Sequence, residues 1–116
     1  MATIKCFTDI NQSKKLTEIL PLESADMKIL PFNGREYRIV PINDISVFGM
    51  EDEIHAWSLA ALLSVLTEPQ LAQNSIGKWM VRIWDKNNYP WSVGGHANPV
   101  DACYEMILKL YKLKLL

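Results

Sequence analysis

Trp57-Ser58-Leu59-Ala60-Ala61-Leu62-Leu63-Ser64-Val65-Leu66 is the longest apolar run of the chain and lies at its middle. Leu59, Leu62, Leu63 and Leu66 recur at i, i+3, i+4 and i+7, the spacing of one helix face. Ser58 precedes them as an N-cap, because its hydroxyl can accept a hydrogen bond from an early helical N–H. Trp57 then falls at N′ and Leu62 at N4, the positions of a hydrophobic staple. Few polar side chains remain, so this helix is expected to be covered on more than one side. Pro69 stops it.

Two hairpins are expected to flank the helix. On the N-terminal side, residues 27–32 and 35–41 bracket Asn33-Gly34, a dipeptide suited to the positive φ angles of a type I′ turn. Tyr37 and Ile39 alternate with Glu36 and Arg38, which predicts one buried and one wet face. Pro31 and Pro41 lack an N–H and suit strand ends or a sheet edge. Asn43-Asp44 then opens one or two turns through Phe48, before Gly49. On the C-terminal side, Gln70 to Ser75 reads as polar loop. Residues 78–84 alternate, with Trp79, Val81 and Ile83 on one face and Met80, Arg82 and Trp84 on the other. Asp85-Lys86-Asn87-Asn88 is turn sequence. Tyr89, Trp91 and Val93 form a short return strand that Gly94-Gly95 breaks, with Pro90 marking an edge.

A helix closes the chain at each end. Ile4 to Phe7 reads as a short strand or extended lead-in. Thr8 or Asp9 caps a first helix, and Gln12, three residues after Asp9, completes a capping box. Ile10, Leu16, Ile19 and Leu20 form its narrow apolar stripe, and Pro21 ends it. Asn98-Pro99 opens the last helix as N-cap and N1, with Asp101 at N3. Val100, Cys103, Ile107, Leu110 and Lys114 are spaced by threes and fours. Lys109, Lys112 and Lys114 gather at the negative end of the helix dipole. The expected fold is therefore α+β: one domain over 1–116, in the order α-ββ-α-ββ-α, with an antiparallel sheet of about four strands packed against three helices.

Composition limits the function classes. The chain has 116 residues, 49% of them hydrophobic and 22% charged, which suits one domain with its own core. Mean hydropathy is +0.01. Net charge is −1, from 12 basic and 13 acidic residues, so no strong field draws nucleic acid or an anionic membrane. The central run is shorter than the ~20 residues of a membrane span. The N-terminal residues lack a signal-sequence apolar core. Cys6 and Cys103 are the only cysteines, at opposite ends. The expectation is a cytoplasmic protein with reduced thiols and no membrane association.

Each chemical candidate has a plain structural rival. Cys103 near a helix start, with His96 before it, has the elements of an activated thiolate; it also sits on the apolar stripe, where a core thiol explains it. Cys6, His55, His96 and Cys103 lack the tight pairs of structural zinc sites. Gly94-Gly95-His96 could form an anion-binding nest, but lacks the lysine and hydroxyl of a phosphate loop; a strand-to-helix turn is the simpler reading. Glu51-Asp52-Glu53 suits the positive end of the following helix. No metal or cofactor is expected.

Trp79, Trp84, Tyr89 and Trp91 stand among Lys78, Arg82 and Lys86, a combination found in single-stranded nucleic-acid platforms. Period-2 packing assigns Trp79 to the core instead. For Trp84, a partner face and a second helix-covered face both fit. Met80, Arg82 and Trp84 are accordingly the candidate interaction surface, for self-association or an unknown protein partner.

Four segments carry a wider resemblance: Ile4-Lys5-Cys6-Phe7, Glu18 to Met27, Trp57 to Leu63, and Asn98-Pro99-Val100-Asp101-Ala102-Cys103. Together they resemble a group of small uncharacterised proteins of Bacteroides-type gut bacteria and their prophages or other mobile DNA. The resemblance covers about a third of the chain directly. It implies a bacterial or phage cytoplasmic setting and assigns no catalytic or binding residue. The functional expectation is a small non-enzymatic interaction or accessory protein.

Overall fold

The computed structural model describes residues 5–32, 36–43 and 53–116. The Asn33-Gly34 turn, the turns expected from Asp44 to Gly49, and Glu51 and Asp52 lie outside the described residues. The elements run α1 (Ile10–Ile19), a 3-10 turn (Leu22–Ser24), β1 (Met27–Phe32), β2 (Glu36–Pro41), β3 (Ile54–Ala56), α2 (Leu59–Val65), β4 (Gln70–Gln73), β5 (Trp79–Trp84), β6 (Pro90–His96) and α3 (Pro99–Lys112).

The expected single four-stranded sheet is replaced by two antiparallel sheets of three strands, ordered β2-β1-β3 and β4-β5-β6. Each hairpin gains one strand that the sequence reading missed. β3 has only three residues, too few to show a period. β4 is Gln70-Leu71-Ala72-Gln73, whose polar sequence predicts loop. Backbone pairing with β5 makes it a strand regardless of side-chain chemistry, with Leu71 opposite Val81.

The caps follow the sequence closely. Asp9 caps α1, and Gln12 returns the bond, closing the capping box. Ser58 caps α2 by accepting from the Ala61 N–H at 3.2 Å. Asn98 caps α3 by accepting from the Asp101 N–H at 2.8 Å, with Pro99 in the first turn. Such caps are each worth about 1 kcal/mol. α3 ends in a Schellman arrangement. The Leu115 N–H donates to the Leu110 carbonyl, the Lys114 N–H donates to the Tyr111 carbonyl, and Lys114 takes φ 59.

The central run is core, as expected, but its helix stops at Val65, earlier than Pro69 requires. Trp57 and Leu62 are fully buried, Leu66 is buried, and Leu59 and Leu63 are half-buried against the same cluster. Trp57 is also a polar junction. Its backbone N–H donates to Thr8 Oγ1 at 3.1 Å, and its indole N–H donates to Ser24 Oγ at 3.0 Å. Ser58 is held by Asp26: its N–H donates to Oδ1 at 2.8 Å and its hydroxyl donates to Oδ2. The start of α2 is thereby tied to the lead-in of α1 and to the segment before β1.

α3 packs on β5 and β6 and against α2, while α1 packs on β3. Val81, Ile83 and Val93 face α3 and join Val100, Cys103, Met106, Ile107 and Leu110 in the main core. In the other sheet, Ile29 and Leu30 are adjacent and both buried, so β1 is covered on both faces. One expectation fails there. Alternation predicts a buried face for Tyr37 and Ile39, yet they are 55% and 41% exposed, and it is Val40 that is buried. β2 is an edge strand, and burial follows what covers a strand, not the chemistry of its alternation.

Candidate functional site

Three strands build the candidate interaction face. In β5, Val81 pairs with Leu71 and Val93, and Ile83 with Trp91. These residues face α3. The intervening positions share the outer face: Arg82 opposite Gln70 and Ser92, Met80 opposite Ala72, and Trp84 opposite Pro90. Gln70, Ala72, Arg82, Pro90, Ser92 and Gly94 are exposed, and Met80 and Trp84 are half-exposed. Met80, Arg82 and Trp84 therefore lie on one solvent-facing surface. The Arg82 guanidinium forms no hydrogen bond or ion pair among the described residues.

A bulge shapes the far corner of this face. Trp79 pairs with His96 and Val81 with Val93, so two residues of β6, Gly94 and Gly95, stand opposite the single Met80. A side chain at Gly94 would press on the Met80 Cβ at 3.3 Å, and Gly95 adopts φ +80. These glycines lie within β6, not in a turn between strand and helix as the sequence suggested. The extra residue also turns His96 to the helix side, where its Nε2 meets the Glu105 carboxylate of α3.

The remaining aromatics of the hairpin lie apart from Trp84. Trp79 and Trp91 pack against the core. Tyr89 is exposed, with its ring centroid 5.1 Å from that of Trp91. The Trp91 indole donates to Asp85 Oδ2 at 3.0 Å, and the Lys109 ammonium lies 5.5 Å from its ring centroid. That indole bond, followed by the Tyr89 backbone N–H, holds the Asp85 carboxyl below its ordinary range. Asp85 also closes the hairpin turn, with Asn88 at φ 61.

The thiol candidate takes its structural reading. Cys103 is fully buried on the α3 stripe, and desolvation pushes its thiol up to about 11. A thiol so shifted is protonated at neutral pH, the opposite of an activated nucleophile. Its proposed partner His96 is engaged with Glu105. Cys6 is exposed. No group of three or more metal-ligating side chains occurs among the described residues. No helix among them is long and apolar enough to cross a membrane.

The sequence reading missed a polar cluster on β1 and β3. The Lys28 ammonium lies 3.7 Å from Glu53 Oε2, and His55 Nε2 lies 3.9 Å from Glu53 Oε1. Lys28 is buried, and His55 Nδ1 is buried without a hydrogen-bond partner among the described residues. Beside the cluster, a cleft of about 350 Å³ is lined by Lys14, Thr17, Leu22, Glu53, Ile54 and His55. Glu53 had been assigned to the dipole of the following helix. Only the pairing of Lys28 with His55 across β1 and β3 reveals its actual partners.

A second polar knot ties the lead-in of α1 to α3. Lys5 Nζ donates to Asp101 Oδ1 at 2.8 Å and to Asp9 Oδ2 at 3.2 Å. The Gln12 amide reaches Asp101 Oδ1 and the Asn98 amide Asp101 Oδ2, each at 2.8 Å. Burial by itself would raise the Asp101 carboxyl. The bonds from Lys5, Gln12 and Asn98, with the Lys5 charge, outweigh it and leave the group below its ordinary value. No protein-family model, curated protein or solved structure matches the chain.

Proposed function

We propose that this chain is a small non-enzymatic interaction protein that docks another protein through the outer face of β4, β5 and β6. The observation that carries the reading is the convergence of Met80, Arg82 and Trp84 on one exposed face, with the Arg82 guanidinium lacking a partner among the described residues. Trp, Arg and Met are enriched at protein interfaces, where Trp and Arg supply many of the dominant contacts. Desolvation of Cys103 argues against thiol chemistry. Single-stranded nucleic acid is the alternative occupant, with weaker support. Stacking requires a run of aromatics on one surface, and Trp79 and Trp91 pack inward. The resemblance to proteins of Bacteroides-type mobile elements suits an accessory role in a bacterial cytoplasm.

The test compares wild type with Trp84→Ala and Arg82→Ala, each checked for unchanged thermal unfolding. Sedimentation across a concentration range reads self-association, and affinity purification from a Bacteroides host reads a partner. The expected result is one defined complex, weakened about 30-fold by Trp84→Ala, the effect of a ~2 kcal/mol anchor. Complexes unchanged in both variants, or no complex in either experiment, would overturn the reading.

A further inference from the structure

The two sheets have four outer strand edges, and three of them are guarded. β3 is covered by α1. β2 carries Arg38 and ends at Pro41. β6 begins at Pro90, and its regular backbone is broken by the bulge and by Gly95 at φ +80. Charge, proline, bulges and helix cover are the devices that keep sheet edges from pairing with other chains. Among the described residues β4 has none of them. Its sequence Gln70-Leu71-Ala72-Gln73 is uncharged and free of proline, and β5 is its only partner strand among the described residues.

This open edge borders the outer face. Gln70 lies beside Arg82, and Ala72 lies beside Met80. A strand added beyond β4 would lie about 10 Å from β5, two strand spacings away. Arg82 is long enough to reach a side chain of that strand past Gln70, and the single methyl of Ala72 leaves Met80 open to it. The β4–β5 pairing ends at Gln70 with Arg82, so Trp84 projects past the start of β4. Arg82 is the charged side chain of the outer face within the strands, with the exposed Lys78 at the same parity just before β5, and the Arg82 guanidinium has no anionic partner among the described residues.

We infer that the β4 edge accepts an extended, acidic segment of a partner protein as an added strand. Arg82 meets a carboxylate of that segment, and Met80 and Trp84 meet its apolar side chains. The inference rests on the outer-face reading above and specifies the kind of partner. Backbone hydrogen bonds to β4 would supply affinity, and the alternating side chains would supply selectivity.

The probes are synthetic hexapeptides with blocked ends: a valine–glutamate peptide, Val-Thr-Glu-Thr-Val-Thr, whose valines and glutamate share one strand face; the valine–lysine peptide Val-Thr-Lys-Thr-Val-Thr; and the valine–glutamate peptide N-methylated at every residue, which removes the donors of both edges. Binding to the isotope-labelled full chain is read from amide and indole resonances. The valine–glutamate peptide is expected to shift the amides of Gln70 to Gln73 together with the Trp84 indole. The lysine peptide should bind about fivefold more weakly, the scale of one exposed charge pair. Arg82→Glu should reverse that order while leaving the amides of the α3 core residues Val100 and Ile107 in place. N-methylation should abolish binding.

No response at Gln70 to Gln73 to any peptide would overturn the inference. Shifts confined to Met80, Arg82 and Trp84, with the N-methylated peptide binding equally well, would overturn strand addition and leave the outer-face reading standing. A response of β4 to an oligothymidylate but not to the peptides would overturn both.

Discussion

The two sheets have the same strand count and pairing sense, yet they are stabilised differently. β4-β5-β6 is two-sided in the simple sense. Val81, Ile83 and Val93 are buried against α3, and Gln70, Arg82 and Ser92 are wet. In β2-β1-β3 the central strand is buried on both faces at Ile29 and Leu30, takes in the charged Lys28, and leaves Tyr37 and Ile39 exposed on the neighbouring strand β2. The comparison teaches that alternation predicts burial only where one layer covers one face. β5 meets that condition. β1 has cover on both sides, and β2 projects beyond its cover.

The largest expected effect tests that contrast directly. Ile83→Ala, at a 2% exposed position of β5, should lower unfolding free energy by about 2–4 kcal/mol. Ile39→Ala, at a 41% exposed position of β2, should cost less than about 1 kcal/mol. Urea titrations of both variants measure the difference. Equal losses would mean that β2 is covered as the sequence pattern suggested.

A smaller effect probes the buried charge of the first sheet. Glu53→Ala removes a counter-charge from Lys28, whose side chain is 10% exposed, and should cost about 1–2 kcal/mol given the partial exposure of Glu53. Lys28→Met removes the buried charge and keeps the stem, so it should be nearly neutral. If Lys28→Met proves the more damaging of the two by denaturant unfolding, the ammonium is a net stabiliser and the two sheets are less different than they look.

The smallest effect lies at the rim of the α3 layer. The Asp101 carboxyl is depressed in the fold, so its contribution is present above the unfolded-state carboxylate range and disappears as pH falls through the lower folded-state value. Asp101→Asn should therefore cost up to about 1 kcal/mol near pH 7. Its deficit against wild type should shrink towards pH 2. A deficit that stays constant across that range would show that the Lys5–Asp101 tie has no electrostatic part.

These contrasts also explain how far the sequence could be read. Asp9, Ser58 and Asn98 announced their helices because capping is local chemistry, settled within three residues. Trp79, Val81 and Ile83 announced their face because one helix covers it. β3 and β4 did not announce themselves: one is too short for a period, and the other is an edge strand that a neighbour's backbone defines. The Lys28–Glu53–His55 cluster depends on a register between strands separated by a connection of more than ten residues, and no local pattern encodes that. Alternation along β5 puts Met80, Arg82 and Trp84 on one face of the strand. Which strands would flank them was not legible, because it depended on β4.

The contrast between the two cysteines has a kinetic consequence. Cys6 is at the surface, whereas Cys103 is enclosed near the start of α3 with its thiol held protonated. A thiol reagent therefore meets two different clocks in one chain. At Cys6 the modification rate measures collision with the surface. At Cys103 it measures how often the α3 layer lifts from its sheet, since reaction must wait for that opening. The native chain thus carries its own internal reference for following, in real time, the opening of its principal core.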